Sequence, residues 1–216
     1  MSGYDKVSAG RYTLASANLS TVVGTIDIKG LIAKIEVTES IYSYYCVYHF
    51  IIVDGINLFE NYQLSGNEII NFTIETKDAS NNTRGTVSKA LRITGYKEYS
   101  RTSRAASYAM ECMDIFCFDL ITKRISRSMA GTCSVIMSKL AGEMFYNYTD
   151  LGPESIGNHM VVFPNVTYSE AFEMVITKAF CSDESTYHLF DTLWHNKYFS
   201  SYGNLLKQPI LKEYFF

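Results

Sequence analysis

His188, Asp191 and His195 are the residues whose types and spacing come nearest to a metal site. On a helix these positions share one face and would offer two imidazoles and a carboxylate. Their neighbours Tyr187, Phe190, Thr192 and Trp194 favour a strand instead, where His188 and Asp191 point to opposite faces. Cys112 and Cys117 stand five apart, which on a strand also separates them, so both read as small buried hydrophobes. The five cysteines (Cys46, Cys112, Cys117, Cys133 and Cys181) are odd in number and lack CxxC spacing, matching neither a disulfide framework nor a zinc knuckle. Asp54 and Glu60 could imitate a carboxylate dyad, but an Asp-Gly turn accounts for Asp54. Ser126, Ser128, Ser134 and Ser138 surround a helix start and serve capping and solvation, with no His-Asp pair at an interpretable distance. Glu39, Glu60, Glu68 and Glu75 read as the solvated sides of strands and loops. The GxGxxG, GxxxxGKS, GxSxG and HExxH patterns are absent. The expectation is a protein that is not an enzyme, with no catalytic, metal or cofactor-binding residues.

The elements that would position these residues fall into two groups. In the first half, Ile26 and Ile28, then Ile35 and Val37, alternate with polar neighbours at the period of two of half-buried strands. The apolar run Tyr44 to Val53, ended by Asp54-Gly55, predicts a strand covered on both faces. Ile70, Phe72 and Ile74 alternate with Asn71, Thr73 and Glu75 and lead to a polar loop over residues 77–85. Ala90 to Tyr99 and Tyr108 to Ile121 complete the expected strands of a closed or nearly closed antiparallel barrel. In the second half the period changes. Val135, Ile136, Leu140 and Met144 predict a helix over residues 132–145, and Thr167-Tyr-Ser-Glu170 is a capping box opening a helix with the stripe Ala171, Phe172, Val175 and Ala179. Strand-like segments follow over residues 187–194 and 198–202, with a turn at His195-Asn196. The predicted fold class is α+β: an antiparallel β-barrel domain over residues 1–128 and a smaller α+β domain, with two helices and a β-hairpin, over residues 129–216.

Composition narrows the function further. The 216 residues are 47% hydrophobic, enough for one large core or two small ones. A net charge of −3 excludes a broad nucleic-acid footprint. The basic residues Arg92, Lys97, Arg101, Arg104, Lys123, Arg124 and Arg127 read as solvated strand edges. The start of the sequence has no apolar core behind its lysine, and the longest apolar run is too short to span a bilayer, so neither a signal peptide nor membrane insertion is expected. Triplets such as Asn147-Tyr-Thr and Asn165-Val-Thr are chance in that setting. Aromatic content of 14%, with 17 tyrosines and 13 phenylalanines, suits β-structure and large interfaces.

The order of several short motifs then suggests a family. Thr38-Glu-Ser-Ile-Tyr-Ser43, Asp54-Gly55, Asn57-Leu-Phe-Glu60 and Leu64-Ser-Gly-Asn-Glu-Ile-Ile70 resemble the opening barrel of baseplate hub proteins from contractile-tailed phages. Phe116 to Ser128, the run Met129 to Met137, and Asn165-Val-Thr-Tyr-Ser-Glu-Ala-Phe172 are similar to the passage that follows in that family, with Tyr168 where a proline is usual. Physically these are turn and cap signals, so they specify a backbone rather than a reaction. The resemblance implies a structural homotrimer in the virion baseplate, assembled in the host cytoplasm, that contacts the tail tube protein, the central spike protein and neighbouring baseplate proteins. It also implies two barrels per subunit; this sequence shows one, so either the chain is a truncated piece or a second polypeptide supplies the other, and the aromatic end Tyr214-Phe-Phe216 is expected to be buried against that partner or against a neighbouring subunit in a ring. The barrel also resembles the N-terminal part of type VI secretion spike proteins, a reading that expects a fused spike this sequence does not show. A baseplate wedge or other adaptor is the alternative, and a tail-associated wall hydrolase a more distant one.

Overall fold

A computed structural model describes residues 12–77, 83–102, 105–145, 148–150, 154–193 and 197–208. The chain forms two units, Met1–Thr38 with Val47–Ile115 and Glu39–Cys46 with Phe116–Phe216. The division thus falls at residue 115 rather than 128, and a short segment ahead of the fourth strand belongs to the second unit.

In the first unit the strands are β1 (Tyr12–Ser20), β2 (Thr25–Asp27), β3 (Ile32–Thr38) and β4 (Val47–Asp54). After a short helix α1 (Leu58–Asn61) come β5 (Ile69–Lys77), β6 (Thr83–Arg101) and β7 (Ala106–Asp114). They make one antiparallel sheet in the order β2-β1-β5-β6-β7-β4-β3. β2 and β3 therefore lie at opposite edges, although only residues 28–31 separate them. Laid flat, seven strands would hold their outer members roughly 29 Å apart at about 4.8 Å per step. The five steps from Asp27 to Ile32 reach at most about 18 Å. The sheet has to curl, and it forms a half-barrel. A 3-10 turn at Lys29–Leu31 makes the crossing, with the Ile28 amide donating to the Ala17 carbonyl at 2.9 Å and the Ile28 side chain fully buried.

The concave face carries Leu19, Tyr48, Phe50, Ile52, Ile70, Phe72, Leu91, Ile93, Tyr108 and Met110, all buried. The Phe72 ring packs edge-on against Tyr48 and Phe50, with centroids 5.8 and 5.4 Å apart. The alternation of β5 holds as expected. β4 departs from the expectation: it begins at Val47 and alternates, with Tyr48, Phe50 and Ile52 buried and Val53 47% exposed. Its convex face stays open, so apolar residues there reflect strand propensity rather than a second covering layer. A second departure is that Tyr108 to Ile121 is not one strand. β7 stops at Asp114, and helix α2 (Ile115–Thr122) follows, burying Cys117 and Leu120 three residues apart, while Asp119 pairs with Lys123 one turn on at 2.8 Å.

The second unit adds β8 (Arg124–Gly131), α3 (Cys133–Met144), β9 (Tyr148–Asp150), β10 (His159–Thr167), α4 (Tyr168–Ile176), β11 (Tyr187–Phe190), β12 (Lys197–Ser201) and α5 (Tyr202–Leu206). β8 and β10 pair alone as an antiparallel ribbon. β11, β12 and β9 form a small sheet in which β12 and β9 are parallel. One core joins these pieces: Ile136, Met137 and Leu140 of α3 meet Phe172 and Val175 of α4, Phe163 of β10, Tyr187 of β11 and Phe199 of β12. Tyr44 enters this core edge-on to Phe172, which is why residues 39–46 belong here. Both predicted helices form. Thr132 caps α3 by accepting from the Val135 amide, and Thr167 with Glu170 makes the reciprocal capping box of α4. The expected turn at His195-Asn196 and the terminus at residues 214–216 lie outside the described residues.

Because the Thr167 hydroxyl satisfies an amide that would otherwise lack a partner, Thr167→Ala is expected to destabilise the fold by about 1 kcal/mol. Denaturant unfolding followed through the helical signal would show an earlier midpoint; an unchanged midpoint would mean that the cap does not hold α4.

Candidate interaction surface

The side chains considered for chemistry are absorbed into structure. Asp54 closes β4 and is buried. Its carboxylate accepts from the Ile56 amide at 3.0 Å, the Leu58 amide at 2.8 Å and the Tyr108 hydroxyl at 3.2 Å. It starts α1 and ties it to β7, more than a turn alone requires. Glu60 is exposed, bonded to Asn57 and 4.0 Å from Arg101, so no dyad with Asp54 forms. Glu68, expected on a solvated side, is almost wholly buried. It accepts from the Ser65 amide and hydroxyl, from the Gly66 amide at 2.8 Å and from the Tyr96 hydroxyl at 3.2 Å. Burial alone would raise its carboxyl, but the amides around it outweigh that and hold it below the usual carboxylate range.

Tyr96 and Tyr108, fixed by these carboxylates, pack with Phe59 of α1 and Tyr99 at centroid separations of 4.9 to 6.1 Å. Burial, and then the neighbouring carboxylate, pushes both phenols well above their ordinary range. The connection from β4 to β5 is thus pinned at both ends by a buried carboxylate and in the middle by an aromatic cluster. It forms a rigid platform that leaves Ile56 and Tyr99 exposed. On the convex face, Glu111 of β7 pairs with Lys97 of β6 and lies 3.6 Å from His49 Nε2 of β4.

In the second unit Asp191 and Lys197 form a buried ion pair at 3.0 Å, with side chains 1% and 5% exposed, and the ammonium lies over the Phe145 ring. Asp191 follows the end of β11 and is committed to this pair. His188 sits edge-on to Tyr42, 5.2 Å away, and burial lowers its pKa. His195 lies outside the described residues, and among those described no group of three or more His, Cys, Asp or Glu gathers as metal ligands would. Cys112 on β7 and Cys117 on α2 are both buried, in different elements, and burial pushes the Cys112 thiol far up. Ser134 and Ser155 exchange hydrogen bonds, each hydroxyl accepting the other's amide at 2.8 to 2.9 Å. Ser126 and Ser128 stand on exposed β8, and the N-cap of α3 is Thr132.

The basic residues disperse into local pairs: Arg127 with Glu143, Lys123 with Asp119, and Arg124 with the Asn165 carbonyl at 2.7 Å. Arg104 is outside the described residues. On the outer face of the β8–β10 ribbon, Met160 and Val162 are 77% and 59% exposed. The ribbon and the platform were not visible as surfaces in the sequence, because their partners are distant along the chain: Tyr108 is 54 residues from Asp54, and Tyr96 is 28 from Glu68.

No protein-family model matches the sequence, and neither does any curated protein. Among solved structures, the chain is similar to the 43 kDa tail protein of prophage MuSo2 from Shewanella oneidensis. The TM-score is 0.51 at 10% identity, over 86% of this chain and 54% of that one. A tail protein from Neisseria meningitidis gives 0.49 at 10% identity, over 89% and 52%. The Francisella PdpA-VgrG complex gives 0.48 at 14% identity, over 98% and 32%. The chain spans about half the length of the two tail proteins. At these identities the likeness is one of fold, and it rests on the Shewanella structure.

The Glu68 geometry makes an acid-side prediction. A carboxyl held below its unfolded value stabilises the fold fully above the ordinary carboxylate range, and the contribution disappears as pH falls through the lowered folded value. Glu68→Gln is therefore expected to unfold at lower denaturant than the parent at pH 7, by about 1 to 3 kcal/mol. The difference should shrink as pH falls below the ordinary carboxylate range and through the lowered folded value. Equal stability at pH 7, or a gap that persists after the carboxyl is protonated, would contradict the assigned network.

Proposed function

We propose that this chain is a structural component of a phage-type tail, acting through contact surfaces rather than chemistry. Within the tail we assign it to the baseplate hub, as a homotrimer joining the tail tube to the central spike. The observation that carries the tail reading is the fold likeness to the Shewanella prophage tail protein across 86% of this chain. The hub assignment is supported by the order of motifs from Thr38 to Phe172, which resembles that of hub proteins; apart from Glu39–Ser43, these fall on a curled sheet and then on an α+β unit. Function by contact is supported by the fate of the ionisable residues. Asp54, Glu68, Asp191 and Lys197 are all bonded inward to the protein's own groups.

Two measurements test this. Light scattering of the purified chain is expected to give three times the subunit mass of 24.5 kDa. A reconstruction of the tail that contains it is expected to place three copies around the central axis, between tube and spike. Off-axis density would make it a wedge, and a stable monomer that never joins a tail would refute the reading altogether.

A further inference from the structure

The half-barrel has a seam whose two flanks both carry unpaired backbone. Six antiparallel pairings lead from β2 through β1, β5, β6, β7 and β4 to β3, so β2 and β3 run in the same direction. Residues 25–38 therefore descend the seam as one path that begins beside β1 and ends beside β4. β2 pairs only with Asn18, Leu19 and Ser20 at the far end of β1. Below that point Tyr12–Ser16 on one flank and Ile32–Thr38 on the other each pair on one side only, among the described residues. The two strands do not run alongside each other. The 3-10 turn is the apex of the cleft between them. There Ile28 satisfies the Ala17 carbonyl, and Lys29 Nζ donates to the Ala15 carbonyl at 3.1 Å.

Burial falls off toward this seam. Phe50, Phe72 and Met110, in the middle of the sheet, are wholly buried. Leu14, Ile35 and Val37 pair with Ile74, Phe50 and Tyr48 and so share the inner face, yet they are only half-buried. Edge strands are commonly protected by proline or by charges turned inward. Here neither flank contains proline, and Lys34 and Glu36 of β3 turn outward and pair with each other.

We propose that this cleft takes an extended strand from a second polypeptide, with apolar side chains at every second position, which completes the barrel by strand addition. Among the described residues both flanks lack a ladder partner on the seam side, and a backbone with donors and acceptors on both sides, which is the form of an extended strand, can meet both at once. Its inward side chains cover Leu14, Ile35 and Val37, and its outward ones lie beside Lys34, Glu36 and Thr13, so they are polar. A helix would fill the cleft and leave both ladders unmet. Nothing in the proposal depends on the tail assignment.

The probe is a synthetic pool of nine-residue peptides with Ile, Val or Phe at alternate positions and Thr, Ser, Lys or Glu between them. Its control is a pool of the same composition with the alternation scrambled. Amide hydrogen exchange of the whole chain is read by mass spectrometry. The alternating pool is expected to slow exchange in Tyr12–Ser16 and Ile32–Thr38 together, by about tenfold or more, and the scrambled pool is not. Ile35→Lys, which turns a charge into the cleft, should abolish the slowing while β5 to β7 stay protected. Val37→Glu replaces it if that variant loses the β5 to β7 protection. The proposal is overturned if the pool slows neither flank or one flank alone, if both charged variants respond like the parent, or if both flanks are already fully protected without peptide.

Discussion

The first unit depends on one constraint: two strands at opposite edges of a seven-stranded sheet are joined by residues 28–31. Such a connection cannot span a flat sheet, so curvature follows from chain length before any side chain is considered. Side chains then make the curvature favourable. Curling brings Phe50, Phe72 and Tyr48 into edge-on contact on the concave face and buries Ile28 at the crossing. This unit buries its largest apolar side chains against one another on the concave side of its own sheet.

Buried charge in both units ties segments of the chain together. Asp54 and Glu68 hold the two ends of the segment between β4 and β5 through backbone amides, and each also fixes a tyrosine of the neighbouring strands. Asp191 and Lys197 compensate each other between β11 and β12. Such pairs stabilise little compared with apolar packing, but breaking one leaves an unpaired buried charge, which disfavours alternative arrangements. What these groups provide is a defined local backbone on which the surface is built.

What could be read from the sequence was local. The alternation of Ile70, Phe72 and Ile74, the three-to-four spacing of Ile136, Leu140 and Met144, and the Thr167–Glu170 box each lie within one element, and each appears in the structure. The α+β class with a barrel-like sheet followed from them. The failures have a common cause in sequence distance or in featureless apolar runs. Apart from Asp119 and Thr122, residues 115–122 are apolar, so strand and helix periods are not distinguished there. Nothing near Glu68 announces that Tyr96 will cover it. The pairing of β8 with β10, whose partners run from Gly131–His159 to Arg124–Thr167, 28 to 43 residues apart, has no local signal at all, nor has the placement of Tyr44 in the second core. The dyad and metal patterns were spacings on a line, and the fold directs Asp54 and Asp191 to other partners.

The central claim is that the short crossing, rather than side-chain packing alone, holds the sheet curled, and lengthening it tests this directly. Six Gly/Ser residues inserted between Gly30 and Leu31 would allow the edges to separate. Hydrogen exchange of the variant is predicted to show Asn18–Ser20 and Ile32–Thr38 losing protection together while the α3 and α4 amides of the second unit keep theirs. If Asn18–Ser20 and Ile32–Thr38 remain as protected as in the parent, the crossing is an ordinary loop, and the curl of the sheet has another cause.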